Sequence, residues 1–308
     1  MTDQSTTAMP CTSKHRCACK AKAPKRKKSW VRRLVTWVLV TALVLMIVRV
    51  GGCAERLFYY PFAGSYSTPA AAEEVLFVNE GRTLHGWFYP ARGVEPGTLA
   101  PTIVFCHGNA YNISRHTAFM DFLPAEGFNV FIFDYRSYGS SDKGPLHRDG
   151  LIHDASAAID AVFERDDIDP DRVGVYGMSL GGNIGLAAAA EDERIRGVCS
   201  VSTFSTWPGV ASDYVPVIAD FLIPRGRDAV DSAAAMGDRP LMILHGTADG
   251  IVDIRHAAII RDSALAAGVA VELRTFEGIG HTNWVTDSPE MRGAIGEFFA
   301  ETLGEAGG

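Results

Sequence analysis

The sequence predicts an α/β fold built on a mostly parallel eight-stranded sheet, with helices on both faces and a small helical lid. Three observations carry this. From Glu74 onward, short β-rich runs alternate with helical stretches. The central runs are apolar throughout rather than alternating, as strands buried on both faces are. One interval, between Ser202 and Leu241, is about forty residues long, more than a helix–strand connection needs.

The elements follow in order. Val75–Asn79 and Thr83–Tyr89 alternate apolar and polar residues around Glu80-Gly81-Arg82, which reads as a hairpin. Continuous apolar strands are expected at Thr102–Cys106, Val130–Asp134, Arg172–Tyr176, Gly197–Ser202, Leu241–Leu244 and Val269–Phe276. Helical patterns occupy Ser114–Ala125, Leu151–Arg165, Leu180–Ala190, Ile254–Ala267 and Glu290–Thr302. Such alternation implies right-handed crossovers and a parallel sheet. The long interval, residues 204–238, holds Trp207, Tyr214 and Phe221 and is read as a lid over the C-terminal edge of the sheet. That edge is where open α/β sheets bind ligands.

The net charge of -7 conceals two different regions. Residues 1–53 carry 11 Lys/Arg and one Asp, leaving 18 basic and 35 acidic residues for the rest. So acidic a body argues against nucleic acid as a partner, because phosphate binding requires basic surface. Cys11, Cys17, Cys19 and Cys53 belong to the N-terminal region, whereas Cys106 and Cys199 sit in strand-like runs and read as buried thiols.

Residues 1–29 are polar and then strongly basic, with too little apolar content for a core, and read as a disordered tail. Within it, Cys11, His15, Cys17 and Cys19 have no hydrophobic frame to fix a metal geometry, so no metal site is assigned. An uncharged run from Leu34 to Val48 follows, making 30–53 a signal or anchor segment with its basic flank on the cytoplasmic side. Val50-Gly51-Gly52-Cys53 looks like a bacterial lipoprotein processing site, with Cys53 lipidated. Arg49 and the long basic flank fit an uncleaved single-pass helix equally well. Both readings put the body at a membrane, on the periplasmic or extracytoplasmic side.

Gly177-Met178-Ser179-Leu180-Gly181 follows an apolar strand and opens an Ala-rich helix. This is the strand–turn–helix setting in which a serine Oγ projects from the top of a sheet. Glycines two places to either side allow strand and helix to approach closely. The Leu180 backbone N–H then points where an oxyanion would develop. A serine hydroxyl needs an adjacent base. His281, after Gly278-Ile279-Gly280, and Asp249, after His245-Gly246-Thr247-Ala248, each follow a predicted strand and reach the same sheet edge. Asp253 is the reserve acid. The second oxyanion donor is expected at Asn109 in His107-Gly108-Asn109-Ala110, with Ala110 or Tyr111 as alternatives; His107 is expected to brace the turn. His85, His116, His147, His153, His245 and His256 show no comparable partner set and are read as structural or surface residues. Tyr111, Trp207, Tyr214 and Phe221 are candidate substrate contacts.

With Asp134-Tyr135-Arg136 added, these motifs make residues 57–305 resemble the serine-hydrolase branch of the α/β-hydrolase superfamily. Within it the chain is similar to membrane-anchored depalmitoylase-like hydrolases and their bacterial homologues, a likeness that Leu57-Phe58-Tyr59-Tyr60-Pro61 also suits. Ser137 stands where that family usually has glycine. The resemblance implies an esterase or thioesterase that needs no cofactor and acts on a small-molecule or lipid-like acyl substrate. An amidase or peptidase with the same triad, and a non-catalytic binding protein on this scaffold, are the alternatives.

Overall fold

The computed structural model describes residues 30–50, 55–64, 66–95 and 97–304. The chain divides into two units, Met1–Val44 and Leu45–Gly308. Cys53, the basic tail and its Cys/His cluster lie outside the described residues. Helix α1 spans Trp30–Val50 and takes in Arg32, Arg33 and Arg49, beyond the uncharged run that the sequence marks. Its stretch Trp30–Arg49 is long and apolar enough to cross a bilayer, a test that a signal sequence also passes.

Eight strands form one sheet in the order β1-β2-β4-β3-β5-β6-β7-β8. They are β1 (Glu73–Asn79), β2 (Arg82–Tyr89), β3 (Ala100–Cys106), β4 (Asn129–Phe133), β5 (Ile168–Met178), β6 (Val198–Val201), β7 (Leu241–Gly246) and β8 (Val271–Phe276). The first two form the expected antiparallel hairpin, and β2 meets β4 antiparallel. Every pairing from β4 to β8 is parallel. The helices of this unit are α2 (Ile113–His116), α3 (Arg148–Phe163), α4 (Leu180–Ala190), α5 (Trp207–Tyr214), α6 (Ala219–Leu222), α7 (Ala229–Ala234), α8 (Arg255–Ala266), α9 (Trp284–Asp287) and α10 (Pro289–Leu303).

Alternate residues of the central strands serve two cores. Val104, Phe131, Phe133, Val175 and Ile243 pack with α3, α4 and α8 on one face. Ile103, Phe105, Val130, Ile132, Tyr176 and Leu244 pack with α10 on the other. That is why these strands read as unbroken apolar runs: neither face sees water. Cys106 and Cys199 are free, buried thiols, one in each core.

Three segments depart from expectation. Ser114–Ala125 is not one helix but α2 followed by two short 3-10 turns, the second containing Pro124 and closed by Gly127 at φ 91°. Proline removes a helical donor and a left-handed glycine ends the turn. Strand β5 begins at Ile168, ahead of Arg172, with a register irregularity against β3 between Ala100 and Thr102. Lastly, the interval 204–238 does not act as one lid: α7 packs on α4 and α8, so it belongs to the body. Ser137 has a left-handed backbone, φ 67°, and its Oγ bridges to both the carbonyl and the N–H of Gly144 at 3.0 Å.

Candidate active site

The turn from β5 into α4 holds Ser179 at φ 55°, ψ -119°, a region a non-glycine residue occupies only when its surroundings enforce it. The enforcement is visible in the flanking glycines. A Cβ on Gly177 would stand 2.5 Å from the Gly181 carbonyl, and one on Gly181 would stand 2.0 Å from the Cys106 carbonyl. Strand, helix and the loop after β3 therefore meet at contact distances that only hydrogen permits.

Ser179 Oγ donates to His281 Nε2 at 3.0 Å, and His281 Nδ1–H donates to Asp249 Oδ2 at 2.8 Å. The three residues come from loops after β5, β8 and β7, at one edge of the sheet. Burial by itself would raise the Asp249 carboxyl. Hydrogen bonds from His245 and His281, and from the Val252 backbone, outweigh it and hold the group well below the ordinary carboxylate range. Its Oδ1 also accepts the Ile251 and Val252 backbone N–H groups, each at 2.9 Å. Asp253 lies elsewhere: it is half-exposed, and its Oδ1 accepts the Arg255 N–H at the start of α8.

Asn109, Ser179 and Leu180 line one cavity of about 610 Å³. Among the described residues, neither the Asn109 nor the Leu180 backbone N–H donates to a protein acceptor. The Asn109 side chain is fully engaged. Its Oδ1 accepts from Tyr60 N (3.0 Å), Ala110 N (2.9 Å) and Tyr138 Oη (2.9 Å), while its Nδ2 donates to the Phe58 carbonyl. The loop is thereby fixed with its N–H unspent. His107 is fully buried, its Nδ1 donating to the Gly108 carbonyl at 2.7 Å, which fits the bracing role.

The cavity wall is apolar: Trp207, Val210 and Tyr214 of α5, Ala219 and Leu222 of α6, then Ile223 and Ile251. Of the expected substrate contacts, Trp207 and Tyr214 line it, whereas Tyr111 and Phe221 do not. Tyr111 turns outward beneath the Arg115 guanidinium. On α6, Ala219 and Leu222 share the inward face at helical spacing, with Ile223 just past its end, which leaves Phe221 on the outer one. Sequence reading missed Phe58 and Tyr60, which form the wall nearest Asn109.

Two buried histidines have fuller partner sets than the sequence shows. His245 Nε2 points at the Val252 carbonyl (2.9 Å) and at Asp249 Oδ2 (3.3 Å), giving the carboxylate a second imidazole contact; the four-residue spacing was the available signal. His256 joins Ser205 and Asp213 in a buried set of its own.

Sheet order, strained serine turn and hydrogen-bonded Ser–His–Asp chain are those of an α/β hydrolase, and the chain belongs to the α/β-hydrolase family. The family model described as the alpha/beta hydrolase fold matches residues 101–233. The uncharacterized protein YfhR of Salmonella typhi is 35% identical over 235 residues, covering 72% of this chain and 79% of that protein. The alpha/beta hydrolase domain-containing protein WAV2 of Arabidopsis thaliana is 28% identical over 237 residues, covering 69% and 76%. Among solved structures, an esterase of Pyrococcus furiosus, Pf2001, superposes with a TM-score of 0.66 at 19% identity, over 80% of this chain and 99% of that one.

Proposed function

We propose that the chain is a serine hydrolase cleaving a carboxylic ester or thioester through an acyl-enzyme, with Ser179 as nucleophile, His281 as base and Asp249 as the orienting acid. The observation that carries this is the pair of hydrogen bonds joining the three side chains, with Ser179 lining an apolar cavity. His281 Nε2 takes the Ser179 proton as Oγ bonds to the substrate carbonyl carbon. The Asn109 and Leu180 N–H groups receive the oxyanion. As it collapses, the bond to the leaving alcohol or thiol breaks and His281 returns the proton to it. Water then adds by the same route and releases the acid. Asp249 fixes the tautomer that leaves Nε2 free to accept, and stabilises the imidazolium.

The cavity supports an acyl chain or lipophilic ester as substrate, since burying apolar surface is the main contact it offers. A membrane setting is supported by α1, read as an anchor or signal segment ahead of a hydrolase domain at 57–305, with 1–29 as a basic tail. Intact mass of protein extracted from membranes separates a lipidated Cys53 from an uncleaved helix. A fluorophosphonate probe tests the chemistry: labelling of the intact protein and none of Ser179→Ala is expected. No labelling, or labelling that survives the substitution, overturns the reading.

A further inference from the structure

Around the cavity mouth runs a rim of apolar side chains that the fold leaves in water. Tyr60, Tyr214, Val215 and Ile251 line the cavity and are themselves exposed; Phe62 and Val217 extend the rim outward. The segments that build it, residues 57–64, 214–219 and 250–252, contain no charged residue. The Tyr214 hydroxyl donates to the Ile251 carbonyl at 2.6 Å, joining two of the three segments.

Val217 is the sharpest feature. It is 94% exposed and sits at φ 73°, in the left-handed region. A β-branched side chain is strained there, and a water-facing turn would take glycine or asparagine. Valine at that position satisfies neither the backbone nor the solvent. It is favourable only where the side chain meets an apolar phase.

We infer that this rim docks on the surface of a lipid bilayer and feeds the cavity from it. Two features select lipid over a protein or a second copy of the chain. A protein seated on the rim would close the mouth through which Ser179 is reached, whereas a bilayer offers acyl chains along an unbroken apolar path. In addition, α1 is long and apolar enough to cross a bilayer, and from Val50 to Tyr60 the chain can span at most about 36 Å. A rim so tethered stays within reach of the membrane. Its tyrosines, each with an apolar ring and a polar end, suit the headgroup level. Docking rests on the membrane reading of α1, and the choice of lipid over a protein partner also rests on the proposed role of Ser179; the quenching readout itself does not need the triad.

The test uses the full-length protein reconstituted into phosphatidylcholine vesicles, with and without bromine on the acyl chains. Val217→Trp is made in the Ser179→Ala background and its emission is taken as the difference from the parent. Docking predicts blue-shifted emission that the brominated lipids quench. Emission at the water-exposed wavelength overturns the inference. So does a blue shift that bromine leaves untouched and that grows with protein concentration, the mark of a protein partner. In the active protein, Phe62→Asp with Val217→Asp should lower turnover of a long-chain ester dissolved in the vesicles by about tenfold or more, the effect of losing one or two buried apolar side chains. Turnover of a water-soluble butyrate ester should stay within about twofold, since neither residue lines the cavity. An equal fall on both esters, or none on either, counts against docking. Should the triad assignment fail instead, turnover would persist in Ser179→Ala while the quenching result still stands.

Discussion

His256, on α8, donates from Nε2 to Asp213 Oδ2 on α5 at 2.9 Å, tying the roof of the cavity to the body. Its Nδ1 lies 3.2 Å from the Ser205 backbone nitrogen and 2.7 Å from Ser205 Oγ. A backbone N–H can only donate, so Nδ1 carries no proton and the ring is the neutral Nε2–H tautomer. Burial, then the neighbouring Arg255, lowers its pKa from 6.5 to about 4, with Asp253 opposing and His245 adding slightly. A proton on Nδ1 would cost the Ser205 bond.

Acid should therefore loosen the roof. Between 6.5 and about 4 the unfolded chain binds a proton at this site that the folded chain refuses, so stability falls as pH drops through that window. Above 6.5 the contribution is complete. The wild-type melting temperature should decline over this range more steeply than that of His256→Gln, which keeps a donor for Asp213 but does not titrate. Parallel curves would show that His256 is not the titrating group.

Asp249, proposed to orient His281, is separable from its neighbour Asp253. Asp249→Asn should lower kcat by about 10³–10⁴-fold, because the amide cannot hold the productive His281 tautomer. Asp253→Asn should leave kcat within about threefold, because its carboxylate serves only the first turn of α8, a bond worth about 1 kcal/mol. Steady-state kinetics on a chromogenic ester decides this; the reverse ranking would move the acid to Asp253.

What the sequence disclosed and what it hid follow from distance along the chain. Strands buried on both faces announce themselves as apolar runs, and Gly177–Gly181 states its own turn within five residues. Tyr60 could not be found that way, because its place in the wall depends on a bond to Asn109, forty-nine positions away. The Ser205–His256–Asp213 set spans similar gaps. The lid's limits were hidden for another reason: α7 has the same small apolar composition whether it roofs a cavity or packs on α4.

The glycine at position 181 should be intolerant of even one methyl group. An added Cβ would meet the Cys106 and His107 carbonyls at 2.0 and 2.4 Å, both backbone atoms with nowhere to move but apart. Gly181→Ala should cost about 1–3 kcal/mol of stability through overpacking. By displacing the His107–Asn109 loop it should also cost about 10²–10³ in kcat, the effect of one lost oxyanion donor. Stability measured by denaturant melts and kcat measured on the folded fraction separate the two losses. Wild-type kcat in that fraction would mean the loop after β3 does not shape the oxyanion site.

Chain-length preference should be set by α6, where Ala219 is buried and faces the cavity. Ala219→Phe would fill part of the apolar space that the proposed acyl chain occupies. A buried methylene contributes about 0.8 kcal/mol, close to fourfold in affinity, so losing two or three positions should lower kcat/KM on long esters by about tenfold or more. Short esters bury few methylenes there and should change by less than about threefold. The optimum in a p-nitrophenyl ester series should thus move to fewer carbons while Ser179 labelling by a fluorophosphonate is retained. An equal loss at every length, with labelling retained, would place the acyl chain elsewhere than beneath α6, and the apolar cavity would then serve the leaving group.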